Sequence, residues 1–398
     1  MKIQTIVCRK NGRKKMAKTY EEINEKIKKR KAVVVTAEEI LDRVDKNGIS
    51  KTANDVDVVT TGTFGAMCSS GAFINFGHSK PRIRISRVWL NDVEAYAGIA
   101  AVDCYLGATQ RRDESLEGQD GHECPYGGGH VIHDLVSGKR VHLRAEGKGT
   151  DCYPNKFIEK EISLKDLPDA FLFCPRNGYQ NYNCAVNSSD KTIFTYMGIL
   201  KPRLGNATHS SAGQLSPLLN DPFFKTIGIG TRIFLGGSIG YVTGPGTQHN
   251  PQVPRTPKGI PKRPAGTLAV TGNLKTMSGT WLRGARFRGY GVTLRVGLGI
   301  PIPILNEEIL EYAAVRNADI LVPVVDYSED YPEGTGRTIG EVTFAEIHSG
   351  AIGIQGKRVP CYQLSDYRAA QRVAAILKSW IQDGIFSLGK PVELLPVE

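Results

Sequence analysis

Apolar residues recur at helical spacing in only a few stretches of this chain, and those stretches lie toward its two ends. Thr19 and Glu22 have capping-box spacing ahead of Ile23 and Ile27, which predicts a short amphipathic helix. The run 32–35 reads as a buried strand. Thr36 and Glu39 then open a second helix through Ile40, Leu41 and Val44, stopping near Gly48. Residues 55–61 form the next strand and lead into the loop Thr61-Gly-Thr-Phe-Gly-Ala-Met-Cys68-Ser-Ser-Gly71. Alternation over 82–90 predicts another strand, after which Asn91 and Glu94 read as the start of an alanine-rich helix reaching about Leu106. Near the C-terminus, Asn306 opens a helix through Ile309, Leu310 and Ala313. Ser365 opens a second, with Ala370, Val373, Ala374, Leu377 and Trp380 on one face and Gly384 as its stop.

The middle of the chain follows a different rule. Between about 118 and 299, short β-like runs (140–145, 170–173, 192–196, 268–270 and 292–296) alternate with glycine and asparagine, and helical periodicity is weak. Glycine supplies 44 of 398 residues, which implies many tight turns and close backbone approaches. Five prolines in 248–264 predict an extended surface loop or lid. The pattern therefore predicts an α/β protein: a mixed sheet with flanking helices and a Gly-rich, β-rich central section. There is no internal repeat and no clear linker, so 18–398 reads as one domain behind a basic extension, 1–17.

Charge sharpens this division. The net charge of +11 suggests a nucleic-acid binder until it is mapped. Residues 1–31 hold twelve of the 51 basic side chains and three acids, so the other 367 residues carry an excess of only two. Met16-Ala-Lys18 reads as a natural initiation site, which would make 1–15 a tail or a mistaken start. No nucleic acid is expected as partner. No apolar run approaches a membrane span and no secretory apolar segment follows the N-terminus, so a cytoplasmic protein is expected.

Eight cysteines occur without any CxxC pair, so no iron–sulfur cluster or structural zinc is expected on this chain. His122, Cys124, His130, His133 and His142 match no metal-ligand spacing, and a metal is not expected. Cys68 follows a strand in a loop of small residues, where α/β proteins commonly place ligands. A buried turn cysteine would fit its surroundings equally well. Cys152, in Gly147-Lys-Gly-Thr-Asp-Cys-Tyr-Pro154, sits in a turn near Lys148, again compatible with a reactive or a structural thiol. Cys104, Cys8 and Cys361 lack supporting neighbours. Cys174 and Cys184 flank a polar loop in which Arg176 could grip a carboxylate bidentately.

Six stretches carry a family resemblance: Gly-Thr-Asp-Cys152-Tyr-Pro, Pro175-Arg-Asn-Gly-Tyr-Gln-Asn-Tyr-Asn183, Asn187-Ser-Ser-Asp-Lys-Thr, Leu218-Leu-Asn-Asp-Pro, Gly228-Ile-Gly-Thr-Arg-Ile-Phe-Leu-Gly-Gly and Gly246-Thr-Gln-His-Asn-Pro251. In these the chain resembles the homocysteine biosynthesis (HcyBio) family of methanogens and other anaerobes, over about 18–396. The resemblance implies an enzyme that moves sulfide, through a cysteine persulfide, onto the aldehyde carbon of aspartate semialdehyde to give homocysteine. It implies Cys152 and Cys68 as the catalytic pair, with Cys152 as sulfur carrier and Cys68 as helper, or the reverse. Arg176 or Arg232 would clamp the substrate carboxylate and His249 would donate a proton. Asn183 and Lys191 join them as substrate-binding candidates. No cofactor is expected on the chain itself; electrons would come from a small ferredoxin-like iron–sulfur partner, and a homo-oligomer is compatible with the pattern. The C-terminal regulatory modules of many family members (the CBS type) are not expected here. A non-catalytic persulfide carrier, or sulfur insertion into a different aldehyde or activated acid, would show the same motifs.

Overall fold

The computed structural model describes residues 17–112, 125–329, 332–333 and 336–397. The first sixteen residues of the basic extension, with Cys8, His122 and Cys124, lie outside them. The capping box forms as its spacing predicts: Thr19 Oγ1 accepts from Glu22 N–H, and the Glu22 carboxylate accepts from Thr19 N–H ahead of the helix Tyr20–Lys28. The strand Val34–Thr36, the helix Glu39–Asp55 and the strand Val58–Thr60 make one parallel crossover in the register Val34↔Val58, with Pro301–Pro303 added antiparallel. Gly48, at φ +73°, breaks that helix where the sequence indicates. Part of the N-terminal charge also acquires a role. The buried Asp57 carboxylate accepts from Val33 N–H and pairs with Lys26 at 2.7 Å and Lys18 at 3.2 Å, and burial lowers the Lys18 pKa from its ordinary value.

The β-rich centre forms two large sheets. One is antiparallel and nine-stranded, running Leu282–Phe287, Gly291–Gly299, Arg232–Leu235, Ser238–Pro245, Leu268–Asn273, Asp169–Asn177, Gly71–Asn75 and Asp103–Gly107, with Thr63–Ala66 also on Gly291–Gly299. The other is mixed and six-stranded: Arg337–Thr343, Leu321–Asp326, Cys184–Val186, Ala207–His209, Lys357–Gln363 and Ala351–Ile354. A four-stranded sheet of Val93–Ala95, Ile85–Leu90, Val141–Gly147 and Phe157–Ile162 completes an α/β architecture of the expected class. Strand Asp169–Asn177 belongs to the first large sheet and Cys184–Val186 to the second, so residues 178–183 join the two.

Three local expectations fail for identifiable reasons. The alanine-rich segment after Asn91 is two strands, Val93–Ala95 and Asp103–Gly107. Asn91 and Asp92 have φ of +48° and +62° and make the two-residue turn of a hairpin in the register Leu90↔Val93, rather than a helix cap. A helix the pattern missed, Gly128–Val136, starts on glycines because backbone lies against them; a Cβ on Gly128 would stand 1.9 Å from Gly107 O. The last helix, Tyr367–Gln382, is capped by Asp366, whose carboxylate accepts from Ala369 N–H, not by Ser365. Among the described residues no helix is long and apolar enough to cross a membrane.

The helix Tyr367–Gln382 packs directly on the chain segment that leads to Cys68. Thr60 Oγ1 donates to Ala374 O at 2.9 Å, and a Cβ on Gly62 would fall 2.3 Å from Ala370 O. Gly62→Ala should therefore cost about 1–3 kcal/mol through overpacking. Gly353→Ala, at an open, exposed position, should stay within about 0.5 kcal/mol. Thermal melts of both variants check this contrast.

His209, fully buried on the six-stranded sheet, faces Asn183 O through Nδ1 at 3.0 Å, and burial lowers its pKa to about 4. Below its ordinary value of about 6.5 the unfolded chain takes up a proton that the folded chain refuses. Stability should therefore fall as pH drops from about 6.5 to about 4, by up to about 1.4 kcal/mol per pH unit from this residue. Denaturant unfolding of the intact protein and of His209→Gln across that range should show a shallower loss in the variant.

Candidate active site

A cavity of about 340 Å³ opens where the two large sheets meet. The strand Thr63–Ala66 leaves the nine-stranded sheet here, turns through Met67-Cys68-Ser69-Ser70 with Ser70 N–H donating to Met67 O at 3.0 Å, and re-enters at Gly71. Cys68, half-buried, lines the cavity. Thr293, on the neighbouring strand, donates its hydroxyl to Cys68 Sγ at 3.3 Å. Behind the turn, Ser69 Oγ donates to Arg176 O at 3.1 Å and Ser70 Oγ to Cys174 Sγ at 3.0 Å. Burial pushes the Cys174 thiol up to about 11, so it anchors the turn as a neutral group.

The joining segment builds the opposite wall, and its amides explain how. Gln180 is fully buried; its Nε2 donates to Leu218 O and Pro222 O, and its Oε1 accepts from Gly266 N–H and an Arg255 guanidinium N–H. Asn181, at φ +58°, donates to Pro261 O and Leu321 O. With these side chains turned inward, Arg176, Tyr179 and Tyr182 face the cavity. Tyr196, from a two-stranded hairpin, and Tyr290 extend the aromatic wall, while Ser210, Ser211, Ser216 and Ser365 supply hydroxyls. Burial first, and Cys68 second, push the Tyr179 phenol up to about 12 against the opposing pull of Arg176. It therefore keeps its proton at neutral pH.

The structure brings together only some of the residues singled out by sequence. Arg176 lies in the wall, its guanidinium 5.9 Å from the Tyr179 ring centre; its Nε is buried without a hydrogen-bond partner, and it makes no ion pair among the described residues. Asn183 is buried one strand behind, where its carbonyl meets His209. Lys191 is exposed and contributes its backbone carbonyl to Asn187 and Ser189. Arg232 is taken up by the C-terminal segment, donating to Ser387 with its guanidinium 4.9 Å from the Phe386 ring centre. His249 is held between the Thr267 backbone at Nδ1 and Pro396 O at Nε2, while its neighbour Gln248 reaches the cavity. None of Asn183, Lys191, Arg232 and His249 lines the cavity.

Cys152 is exposed in the turn at Thr150–Tyr153, outside the cavity lining. Tyr153 stacks on His78 at 6.2 Å, and His78 lies beyond the far end of the strand Gly71–Asn75, whose near end carries the Cys68 turn. That strand spans about 17 Å, so the two sulfurs occupy separate places. His130 and His142 also part company: His130 stacks on Tyr126 and His142 pairs with Glu159 at 3.0 Å. Among the described residues no three His, Cys, Asp or Glu side chains converge on a metal position.

Sequence reasoning missed Thr293 and the tyrosines. Tyr179 and Tyr182 stood in the polar loop at a three-residue spacing, a visible signal, but Tyr196 and Tyr290 join them only through tertiary folding.

The family described as "homocysteine biosynthesis enzyme, sulfur-incorporation" matches residues 32–388. The L-aspartate semialdehyde sulfurtransferase of Methanosarcina acetivorans is 49% identical over 384 residues, covering 96% of this chain and 72% of the relative. The enzyme of the same name from Methanocaldococcus jannaschii is 51% identical over 391 residues, covering 95% of this chain and 73% of the relative. No solved structure matches significantly. The chain belongs to the sulfur-incorporating homocysteine biosynthesis enzymes, the HcyBio family.

Proposed function

We propose that this enzyme transfers the sulfur of sulfide to the aldehyde carbon of L-aspartate semialdehyde, giving L-homocysteine, in the cavity that holds Cys68 and Arg176. One observation carries the reading: a thiol with a hydroxyl donor and a guanidinium that makes no ion pair among the described residues share a cavity of about 340 Å³, near the small end for ligand sites. Arg176 takes the substrate carboxylate. Cys68 carries the sulfur.

The balance is explicit. Aldehyde, hydrogen sulfide, two electrons and two protons give thiol and water. A persulfide made from sulfide would need a two-electron oxidant, so sulfide adds directly to the carbonyl carbon while the oxygen takes a proton, which the protonated Tyr179 phenol stands ready to supply. Loss of water leaves a thioaldehyde. The Cys68 thiolate adds to its sulfur while the carbon takes a proton, so that the sulfur is held on Cys68 as a mixed disulfide. Two electrons and two protons then break the sulfur–sulfur bond, releasing the product thiol and the Cys68 thiol. An external reductant supplies these electrons, in our reading a small ferredoxin-like iron–sulfur protein. The exposed Cys152 exchanges sulfur or electrons with that partner rather than with the aldehyde.

With sulfide, L-aspartate semialdehyde and a strong chemical reductant, Cys68→Ala should lose at least about a thousandfold of homocysteine formation, whereas Cys152→Ala should keep most of it. Cys68→Ala activity within a few-fold of the parent sinks the assignment. Arg176→Met should raise KM for the semialdehyde about tenfold to a hundredfold with little change in kcat, as expected for the loss of a charge-assisted bidentate contact. Steady-state kinetics with each substrate varied in turn separates the two effects.

A further inference from the structure

We propose that Tyr182, Tyr196 and Tyr290 form an aromatic box for the substrate's α-ammonium, beside the Arg176 site for its carboxylate; this rests on the aspartate semialdehyde reading above. An amino acid brings one cation and one anion on the same carbon. The cavity lining supplies a single charge, Arg176, and among the described residues no carboxylate. The ammonium must therefore be met by ring faces and hydroxyls.

The rings are arranged for that task. Tyr182 and Tyr196 have centroids 6.5 Å apart at 74°, and Tyr196 and Tyr290 are 6.4 Å apart at 64°. Neighbouring rings inclined this steeply make corners rather than a flat stack. A cation held in such a corner lies within about 6 Å of more than one ring centre, where the ring quadrupoles attract it. The box is also preformed. The Tyr196 hydroxyl lies 3.1 Å from both the Tyr182 and the Tyr327 hydroxyls, so the ring is pinned before a ligand arrives. Its place relative to Arg176 suits an amino acid. The guanidinium is 5.9 Å from the Tyr179 ring centre, and Tyr179 is 5.2 Å from Tyr182. Adjacent carboxylate and ammonium groups can therefore engage the two sites together, fixing the Cα and leaving the aldehyde arm free to turn toward Cys68.

Isothermal titration of the intact protein with two stable ligands tests the box without turnover. L-homoserine keeps the ammonium and carboxylate; 4-hydroxybutyrate lacks the ammonium. The parent protein should bind L-homoserine about tenfold more tightly, the worth of one desolvated cation–π site. Tyr196→Leu and Tyr182→Leu, each shown to be folded by circular dichroism, should bring the two affinities to near equality, while Tyr196→Phe, which keeps the ring, should preserve most of the difference. The proposal is overturned by equal or undetectable binding of both ligands to the parent. It is also overturned by an unchanged ratio in both leucine variants, or by Tyr196→Phe behaving like Tyr196→Leu. Failure of the parent to make homocysteine would instead remove the assigned reaction, a result these titrations do not depend on.

Discussion

Two buried amide side chains hold this molecule's two large sheets in register around the cavity. Gln180 and Asn181 sit between the strand Asp169–Asn177 and the strand Cys184–Val186, and their six hydrogen bonds described above reach backbone at Leu218, Pro222, Pro261, Gly266 and Leu321 as well as the Arg255 guanidinium. A buried amide that loses its partners costs about 1–3 kcal/mol per unsatisfied group. The segment therefore has one low-energy arrangement, in which its amides point into the protein and Arg176, Tyr179 and Tyr182 point into the cavity. The same economy appears at Asp221, whose buried carboxylate accepts from Lys225, Thr226 and Ile227 N–H groups and from the Thr226 hydroxyl. Several of the most distinctive polar motifs in the chain are thus turn locks. They shape the site without lining it.

Burial also sorts the thiols. Cys104 and Cys174 lie where ionisation is opposed, with their pKa values pushed up to about 12 and about 11 by desolvation. Cys68 sits at a break between two strands, where a thiol can meet both solvent in a cavity and a hydroxyl donor from the neighbouring strand. The difference arises from where each residue falls on the sheet. Cys174 alternates inward on a central strand, while Cys68 stands in the turn that leaves an edge.

Local patterns were legible where one element's own residues decide its form. The Thr19 capping box, the Gly48 break and the strand–helix–strand crossover all follow from short-range rules. Asn91 defeated the same reasoning because asparagine suits both a helix cap and the left-handed residues of a hairpin turn. The choice was made by pairing of 85–90 with 93–95, which a local pattern cannot show. The glycine-led helix Gly128–Val136 was hidden for a related reason. Its glycines are required by a close approach to distant strands, and in a sequence they read only as breakers.

The sequence by itself determined the fold class and the family. These rest on residue types and on long motifs, which survive being read in one dimension. Tertiary structure alone decided which candidates meet. Cys68 and Arg176 share a cavity, Cys152 stands beyond the far end of a strand, and Arg232 and His249 are engaged by the C-terminal segment. The physical reason is that antiparallel strands bring together residues far apart in the chain, such as Thr293 and Cys68, while holding the two ends of one strand rigidly apart.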